Sequence, residues 1–319
     1  MKVRWGLLGC GDISRKRVAD AMIGDVNSEL VAACRRDQGS LREFGSQFGV
    51  TELTTSAEAL IARDDLDAIY VATPVHLHCE HTVAAAEAGK HVLVEKPMAL
   101  STEECQQMID ACQAAGVNLG VAYYRRFYPV VSRMAELIQS GAIGRPLSIL
   151  ATTGNPLRFP ADDWRVVKAQ GGGGPLMDIG SHRLDLFLQL FGSIENVQAS
   201  CVPSPDYQAE QAATVLVDFR DGGQGVLQCF FGTRYTPDRL EIIGTDGWLC
   251  TDDLNAGDLR VQIDGRCETE SHPPHSNYHA PLIEDFSQAV LAGRTPRVTG
   301  QIGMATNQVI RAAYQSSDQ

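Results

Sequence analysis

Asp178 and His182 stand four residues apart in Met177-Asp178-Ile179-Gly180-Ser181-His182, and on a helix that spacing puts a carboxylate and an imidazole on one face, within reach of one substrate. An imidazole titrates near neutrality, which suits it to proton transfer as a general acid or base. Taken alone, the pair also fits a helix cap and a packed ring. A third polar group, Lys96 in Glu95-Lys96-Pro97, closes a short apolar run that begins at His91, and the proline restricts the lysine's backbone. Burial and neighbours lower a lysine's pKa towards the catalytic range, although a lysine in such a place is usually a surface residue.

A second constellation binds rather than reacts. Gly9-Cys10-Gly11-Asp12-Ile13-Ser14 follows a short apolar run and opens a helix, the context that a dinucleotide fingerprint demands. The first glycine permits the tight turn, the second lets backbone approach a pyrophosphate, and the helix N-terminus offers unpaired N–H groups. Ser14 replaces the third glycine and is small enough for close packing. The next strand ends Cys34-Arg35-Arg36-Asp37, where an NAD site usually places an acid on the ribose 2′-hydroxyl. Arg35 falls there instead, and a guanidinium pairs well with a 2′-phosphate, so NADP(H) is expected over NAD(H). The alternative leaves Arg35 and Arg36 on the surface and gives the ribose to Asp37.

These residues need elements to hold them. Val3 to Leu8 reads as a buried strand, and strands at Leu30 to Cys34, Asp67 to Ala72, His91 to Glu95 and Asn118 to Ala122 alternate with helices at about 40–48, 78–88 and 102–115. That rhythm predicts βαβ units and a doubly wound parallel Rossmann sheet. Lys96 then lies at the carboxyl end of the sheet, where open α/β folds bind ligands. After Tyr123 come a helix at about 129–140 and longer alternating runs at 147–153, 196–202, 213–219 and 225–231, interrupted by a helix at about 180–190. The expectation is an α/β chain, with a Rossmann domain over 1–122 and an α+β domain over 123–319 built on a large, predominantly antiparallel open sheet. A last helix at about 302–314 is expected to pack back on the first domain. The glycines Gly171–Gly174 before Asp178 suggest close backbone approach or mobility.

A chain of 319 residues exceeds the usual size of one core, and 44% hydrophobic residues supply enough apolar material for two. The formal net charge of -12 weighs against nucleic acid and anionic membranes, both of which call for a basic surface. Nine scattered cysteines form no C-x-x-C pair, and no apolar run approaches a membrane span, so reduced thiols and a cytoplasmic location are expected.

The glycine turn, Ala72-Thr73-Pro74-Val75-His76-Leu77-His78, Glu95-Lys96-Pro97 and Asp178-Ile179-Gly180-Ser181-His182 together resemble the Gfo/Idh/MocA oxidoreductases. Arg126-Phe127-Tyr128-Pro129, Gly141-Ala142-Ile143-Gly144 and Trp164-Arg165 continue the resemblance in family order. It implies an open sheet that commonly builds homodimers or homotetramers, and a catalytic set of Lys96, Asp178 and His182. It further implies that Thr73, Pro74, His76, Glu95, Lys96, Arg126, Trp164 and Arg165 border the cofactor, beside the Gly9, Gly11, Asp12, Ile13, Arg35 and Arg36 set read from the glycine turn and the end of the second strand, where Arg35 departs from the family's common NAD preference. Tyr124 and Tyr278 are expected at substrate beside Lys96, Asp178 and His182.

The implied activity is hydride transfer between nicotinamide and a carbinol or carbonyl carbon of a sugar, cyclitol or related polyol, with one proton managed by Lys96 and His182. No metal is required. The prolines of His272-Pro273-Pro274-His275 argue for a loop rather than a metal site at His272, His275 and His279, and the aromatic and basic run at 123–128 is isolated within an acidic chain. Two other functions compete: a redox-neutral NAD-dependent glycosidase of the same fold, and a catalytically silent ligand sensor. The catalytic set argues against the sensor.

Overall fold

The computed structural model describes residues 1–156 and 158–318. The sequence places substrate specificity on loops at 154–168 and 232–238; Leu157, in the first of them, and Gln319 lie outside the described residues.

One sheet comprises β1 (Val3–Leu8), β2 (Ser28–Cys34), β3 (Glu52–Thr54), β4 (Ala68–Val71), β5 (His91–Val94) and β6 (Leu119–Val121). A second comprises β7 (Pro146–Asn155), β8 (Ile194–Pro203), β9 (Glu210–Phe219), β10 (Gln224–Phe231), β11 (Asp238–Gly244), β12 (Gly247–Thr251), β13 (Asp258–Ile263) and β14 (Arg266–Ser271). The α-helices are α1 (Ala19–Gly24), α2 (Gln38–Phe48), α3 (Ala57–Ile61), α4 (His78–Glu87), α5 (Thr102–Ala114), α6 (Pro129–Gln139), α7 (Lys168–Gly171), α8 (Ser181–Phe191), α9 (Ala280–Ala292) and α10 (Gly300–Ser317). The described chain divides into two compact units, 1–124 with 275–305, and 125–274 with 306–318.

In the first unit the strand order is β3-β2-β1-β4-β5-β6 and every pair is parallel. Ala68 to Val71 are all buried, as a strand covered on both faces must be. The order reverses between β1 and β4, and the carboxyl ends at that switch point are where such sheets bind ligands. α9 belongs to this unit through Phe286, whose ring centroid lies 5.4 Å from that of the fully buried Trp5.

The second unit is built on an eight-stranded sheet of order β14-β13-β12-β11-β7-β10-β9-β8. Its one parallel pair among the described strands is β7 with β10; the other neighbours run antiparallel. Along β10, Gly225, Leu227, Cys229 and Phe231 are buried while the residues between them are not, the alternation of a sheet with one covered face. α8 covers that face against β7 and β10, burying Leu184, Leu186, Phe187 and Leu190. Among the described residues no helix is long and apolar enough to cross a membrane.

Candidate active site

The glycine turn follows β1. Gly9 has φ 102°, and a Cβ there would overlap the Ala72 carbonyl, so the fold itself requires this glycine. At Gly11 a Cβ would meet nothing within 4 Å. The protein has no need of a glycine there; the open space fits a closely approaching pyrophosphate. Buried Ser14 completes the turn by donating its hydroxyl to the Gly9 carbonyl at 2.6 Å, a role that a third glycine lacks. A single π turn, Ser14–Val18, then leads into α1. Asp12 is exposed and pairs with Lys16 at 2.9 Å; Ile13 sits at the entry to the π turn.

At the end of β2 the Arg35 guanidinium donates to the Cys10 carbonyl at 2.5 Å, placing the cation against the glycine turn, while Arg36 is exposed. Asp37 caps α2, its Oδ1 accepting from the Ser40 N–H at 2.8 Å. The Ser40 hydrogen bonds hold this carboxyl below its usual range.

Beyond β4, Thr73 and Pro74 precede His76, whose Nδ1 is buried with no hydrogen-bond partner among the described residues. His78 lies at 2.8 Å from the Thr73 carbonyl through Nε2 and 3.1 Å from the Pro97 carbonyl through Nδ1. It ties the β4 end to the turn that carries Lys96. Burial pushes its pKa down, against the pull of the two carbonyls, which favour a ring that donates from both nitrogens.

Glu95 is buried beside half-buried Lys96. Its Oε1 accepts from the Tyr70 hydroxyl at 2.8 Å and lies 3.5 Å from His279 Nε2, and its Oε2 accepts from the Lys96 N–H at 3.2 Å. Burial works to raise this carboxyl, but His279, Lys96 and Tyr70 together hold it below the ordinary range. Tyr124 lies over His279 at 4.4 Å and is stacked with Tyr278 at 6.3 Å, and the Arg17 guanidinium sits 4.2 Å from the Tyr278 ring. The two tyrosines expected at substrate thus gather around His279 in the first unit.

In the second unit Asp178 falls in a π turn, Leu176–Gly180, rather than in the α-helix that the four-residue spacing assumes. The π turn runs directly into α8, where His182 is buried at 5% exposure. Ser181 donates its hydroxyl to the Asp178 carbonyl at 2.9 Å across the junction. Arg126 donates from Nε to both oxygens of buried Asp185, at 2.8 and 2.9 Å. Arg125 and buried Arg183 both pair with Asp238. Arg165 lies over the rings of Trp164, at 4.5 Å, and Phe159, at 5.5 Å, and pairs with Asp163 at 3.3 Å.

The sequence-predicted residues therefore divide. Gly9 to Ile13, Arg35, Arg36, Thr73, Pro74, His76, Glu95, Lys96, Tyr124 and Tyr278 belong to the first unit, and Arg126, Trp164, Arg165, Asp178 and His182 to the second. Sequence reasoning gave no role to His78 as a bridge or to His279 and Tyr70 as partners of Glu95, because contacts across strands leave no periodic signal. His272 lies 2.6 Å from Glu270, and among the described residues no group of three or more His, Cys, Asp or Glu side chains could hold a metal ion.

Residues 3–123 match the oxidoreductase family with an NAD-binding Rossmann fold, and residues 131–250 match the GFO/IDH/MocA C-terminal domain. The D-xylose 1-dehydrogenase (NADP(+)) 2 of Haloferax volcanii is 31% identical over 98% of this chain and 97% of its own length. The 1,5-anhydro-D-fructose reductase of Ensifer adhaerens is 30% identical over 94% of this chain and 92% of its own. Among solved structures, the aldose-aldose oxidoreductase of Caulobacter crescentus, complexed with glycerol, is 28% identical with a TM-score of 0.92, covering 100% of this chain and 98% of that one.

Proposed function

The chain belongs to the GFO/IDH/MocA oxidoreductase family, and on that premise we propose that it moves a hydride between NADP(H) and a carbinol or carbonyl carbon of a sugar, cyclitol or related polyol. The observation that carries this reading is the open space at Gly11, in a glycine turn that opens a helix at the sheet's switch point. The activities of the Haloferax volcanii and Ensifer adhaerens relatives support a sugar-like substrate.

When bound, the nicotinamide supplies or accepts the hydride. The chain's residues bind it and manage one proton. Gly9, Gly11 and the following helix N-terminus hold the pyrophosphate, while Thr73, Pro74 and His76 at the end of β4 border the cofactor. Arg35, with Arg36 beside it, takes the 2′-phosphate; Asp37 is engaged as the cap of α2, which favours Arg35 over Asp37 as the ribose contact. Lys96 polarises the reacting oxygen and stabilises negative charge that develops on it. His182 Nε2 or Nδ1 takes the hydroxyl proton in oxidation and returns it in reduction, with Asp178 four residues before it in the π turn that leads into α8. A cytoplasmic setting fits nine cysteines that are all free thiols, and a homodimer or homotetramer is the assembly proposed.

Titration calorimetry of the cofactor-free protein with NADPH and then NADH tests the cofactor. Tighter NADPH binding supports the reading, and tighter NADH binding moves the ribose contact away from Arg35. Turnover follows with D-xylose and NADP+, and with 1,5-anhydro-D-fructose and NADPH. Binding of neither cofactor to folded protein favours the silent sensor, and cleavage of a glycoside without net nicotinamide change favours the redox-neutral enzyme.

A further inference from the structure

Glu210 opens β9 and is buried at 5% exposure, yet nothing in the proposed chemistry uses it. Its Oε2 accepts from the Gly174 N–H at 2.9 Å, and its Oε1 accepts from the Leu176 N–H at 3.1 Å and from the Tyr314 hydroxyl at 2.9 Å. Gly174 and Leu176 flank Pro175, at the entry to the π turn that carries Asp178. The first N–H groups of a helix have no partner within it and are ordinarily met by a local side-chain cap. Here no local side chain caps the turn, and Pro175 has no N–H to offer. A carboxylate 34 positions downstream of Leu176 meets that need, and its charge suits the positive end of the helix.

The glycine run is shaped to this contact. A Cβ on Gly173 would collide with the Tyr314 hydroxyl, and one on Gly174 with the Glu210 carbonyl, so both glycines serve close backbone approach. Two further ties hold the same strip of chain, Ala209 N–H to the Val166 carbonyl at 3.2 Å and Lys168 N–H to Gln208 Oε1 at 3.3 Å. Burial raises the Glu210 pKa against the pull of these donors.

We infer that Glu210 is a positioning residue: its carboxylate latches the backbone at Gly174 and Leu176 and so fixes where Asp178 and, four residues on, His182 stand. The inference rests on the reading of Asp178 and His182 as the proton-transfer pair. Displacing a catalytic group by about 1 Å costs up to roughly a hundredfold in rate. Glu210→Gln keeps the volume but offers one accepting oxygen, and its amide N–H groups then face a backbone N–H or the tyrosine hydroxyl.

The test compares Glu210→Gln, Glu210→Asp, Asp178→Asn and His182→Asn in the full chain, with D-xylose and NADP+ as the probe. The expected result is a kcat at least about tenfold lower in Glu210→Gln, with NADP+ affinity unchanged within about twofold, and partial recovery in Glu210→Asp, which keeps the charge one methylene shorter. Loss of turnover in Asp178→Asn and His182→Asn with a wild-type kcat in Glu210→Gln overturns the latch alone. Wild-type turnover in Asp178→Asn and His182→Asn overturns the functional reading and the latch with it. A parallel loss of kcat, NADP+ affinity and melting temperature in Glu210→Gln marks a merely structural residue and also overturns it. Should Glu210→Gln not fold, amide hydrogen exchange at Gly174 and Leu176 is read in Glu210→Asp: faster exchange with lower kcat supports the latch, and faster exchange with unchanged kcat overturns it.

Discussion

Arg126 Nε donates to both carboxylate oxygens of Asp185, at 2.8 and 2.9 Å, while its Nη2 reaches the Asp185 carbonyl at 3.2 Å. The carboxylate has no exposed surface, and Thr306 adds a further hydrogen bond. Burial pushes the Asp185 carboxyl up to about 6 against the pull of Arg126. A carboxyl raised in the folded state contributes stability that is complete below its unfolded value and is lost as the pH rises through the folded one. Arg126→Met removes the pull and raises the folded value further. Its cost is therefore expected to be small at pH 5 and about 3–5 kcal/mol at pH 8, where Asp185 must be buried as an unpaired charge. Urea unfolding at the two pH values checks this; an equal cost at both means that Asp185 does not change protonation between them.

Lys96→Ala is expected to abolish turnover while cofactor affinity stays within a few-fold, because Lys96 is one contact among many to the dinucleotide but the group that polarises the substrate oxygen. Steady-state rates beside calorimetric titration with NADPH separate the two. Normal turnover in the variant would sink the mechanism.

Arg35→Asp exchanges the cation on the Cys10 carbonyl for an acid that accepts from a ribose 2′-hydroxyl. The preference for NADPH over NADH is expected to fall by at least about tenfold, the loss of one charge-assisted contact. An unchanged ratio of the two dissociation constants would mean that the 2′-phosphate is held elsewhere.

The two glycines of the first turn are expected to fail differently. Gly11→Ala adds a methyl to open space, so the melting temperature should hold within about 1 °C while NADPH binding weakens at least tenfold or so. Gly9→Ala meets the Ala72 carbonyl at a φ of 102° and should lower stability by about 1–3 kcal/mol even without ligand. Wild-type NADPH affinity in Gly11→Ala contradicts the assignment of that space.

Much of the architecture was legible because its signal is local. Val3 to Leu8, His91 to Val94 and Thr102 to Ala114 carry their own apolar runs or helical spacing, and they fold as those patterns predict. Other elements carry too little signal of their own. β3 is three residues long and β14 is mostly exposed, whereas α9, unassigned from the sequence, does carry helical signals: Pro281 in its first turn, Leu282, Ile283, Phe286 and Ala289 on one face, and Gly293 after its end. The parallel pairing of β7 with β10 is likewise silent in sequence, since alternation names a strand and not its neighbour. In the site, residue types were readable at Gly9, Lys96, Asp178 and His182. Their supports were not: His78, Tyr70, His279 and Glu210 act through contacts made far along the chain. Ser14 shows the converse, where a departure from the glycine pattern proves to be a hydroxyl that closes the turn.

The packing of Phe286 on Trp5 sets an order for the chain's birth. As the polypeptide leaves the ribosome, β1 and its tryptophan emerge well before the ring that packs on them, which comes only after all of β7 to β14 has been made. The nascent first unit must therefore wait, with Trp5 lacking its Phe286 cover, while the second sheet is synthesised. Such a late, non-local closure slows folding and lengthens the interval in which a chaperone or an aggregate can find the exposed indole.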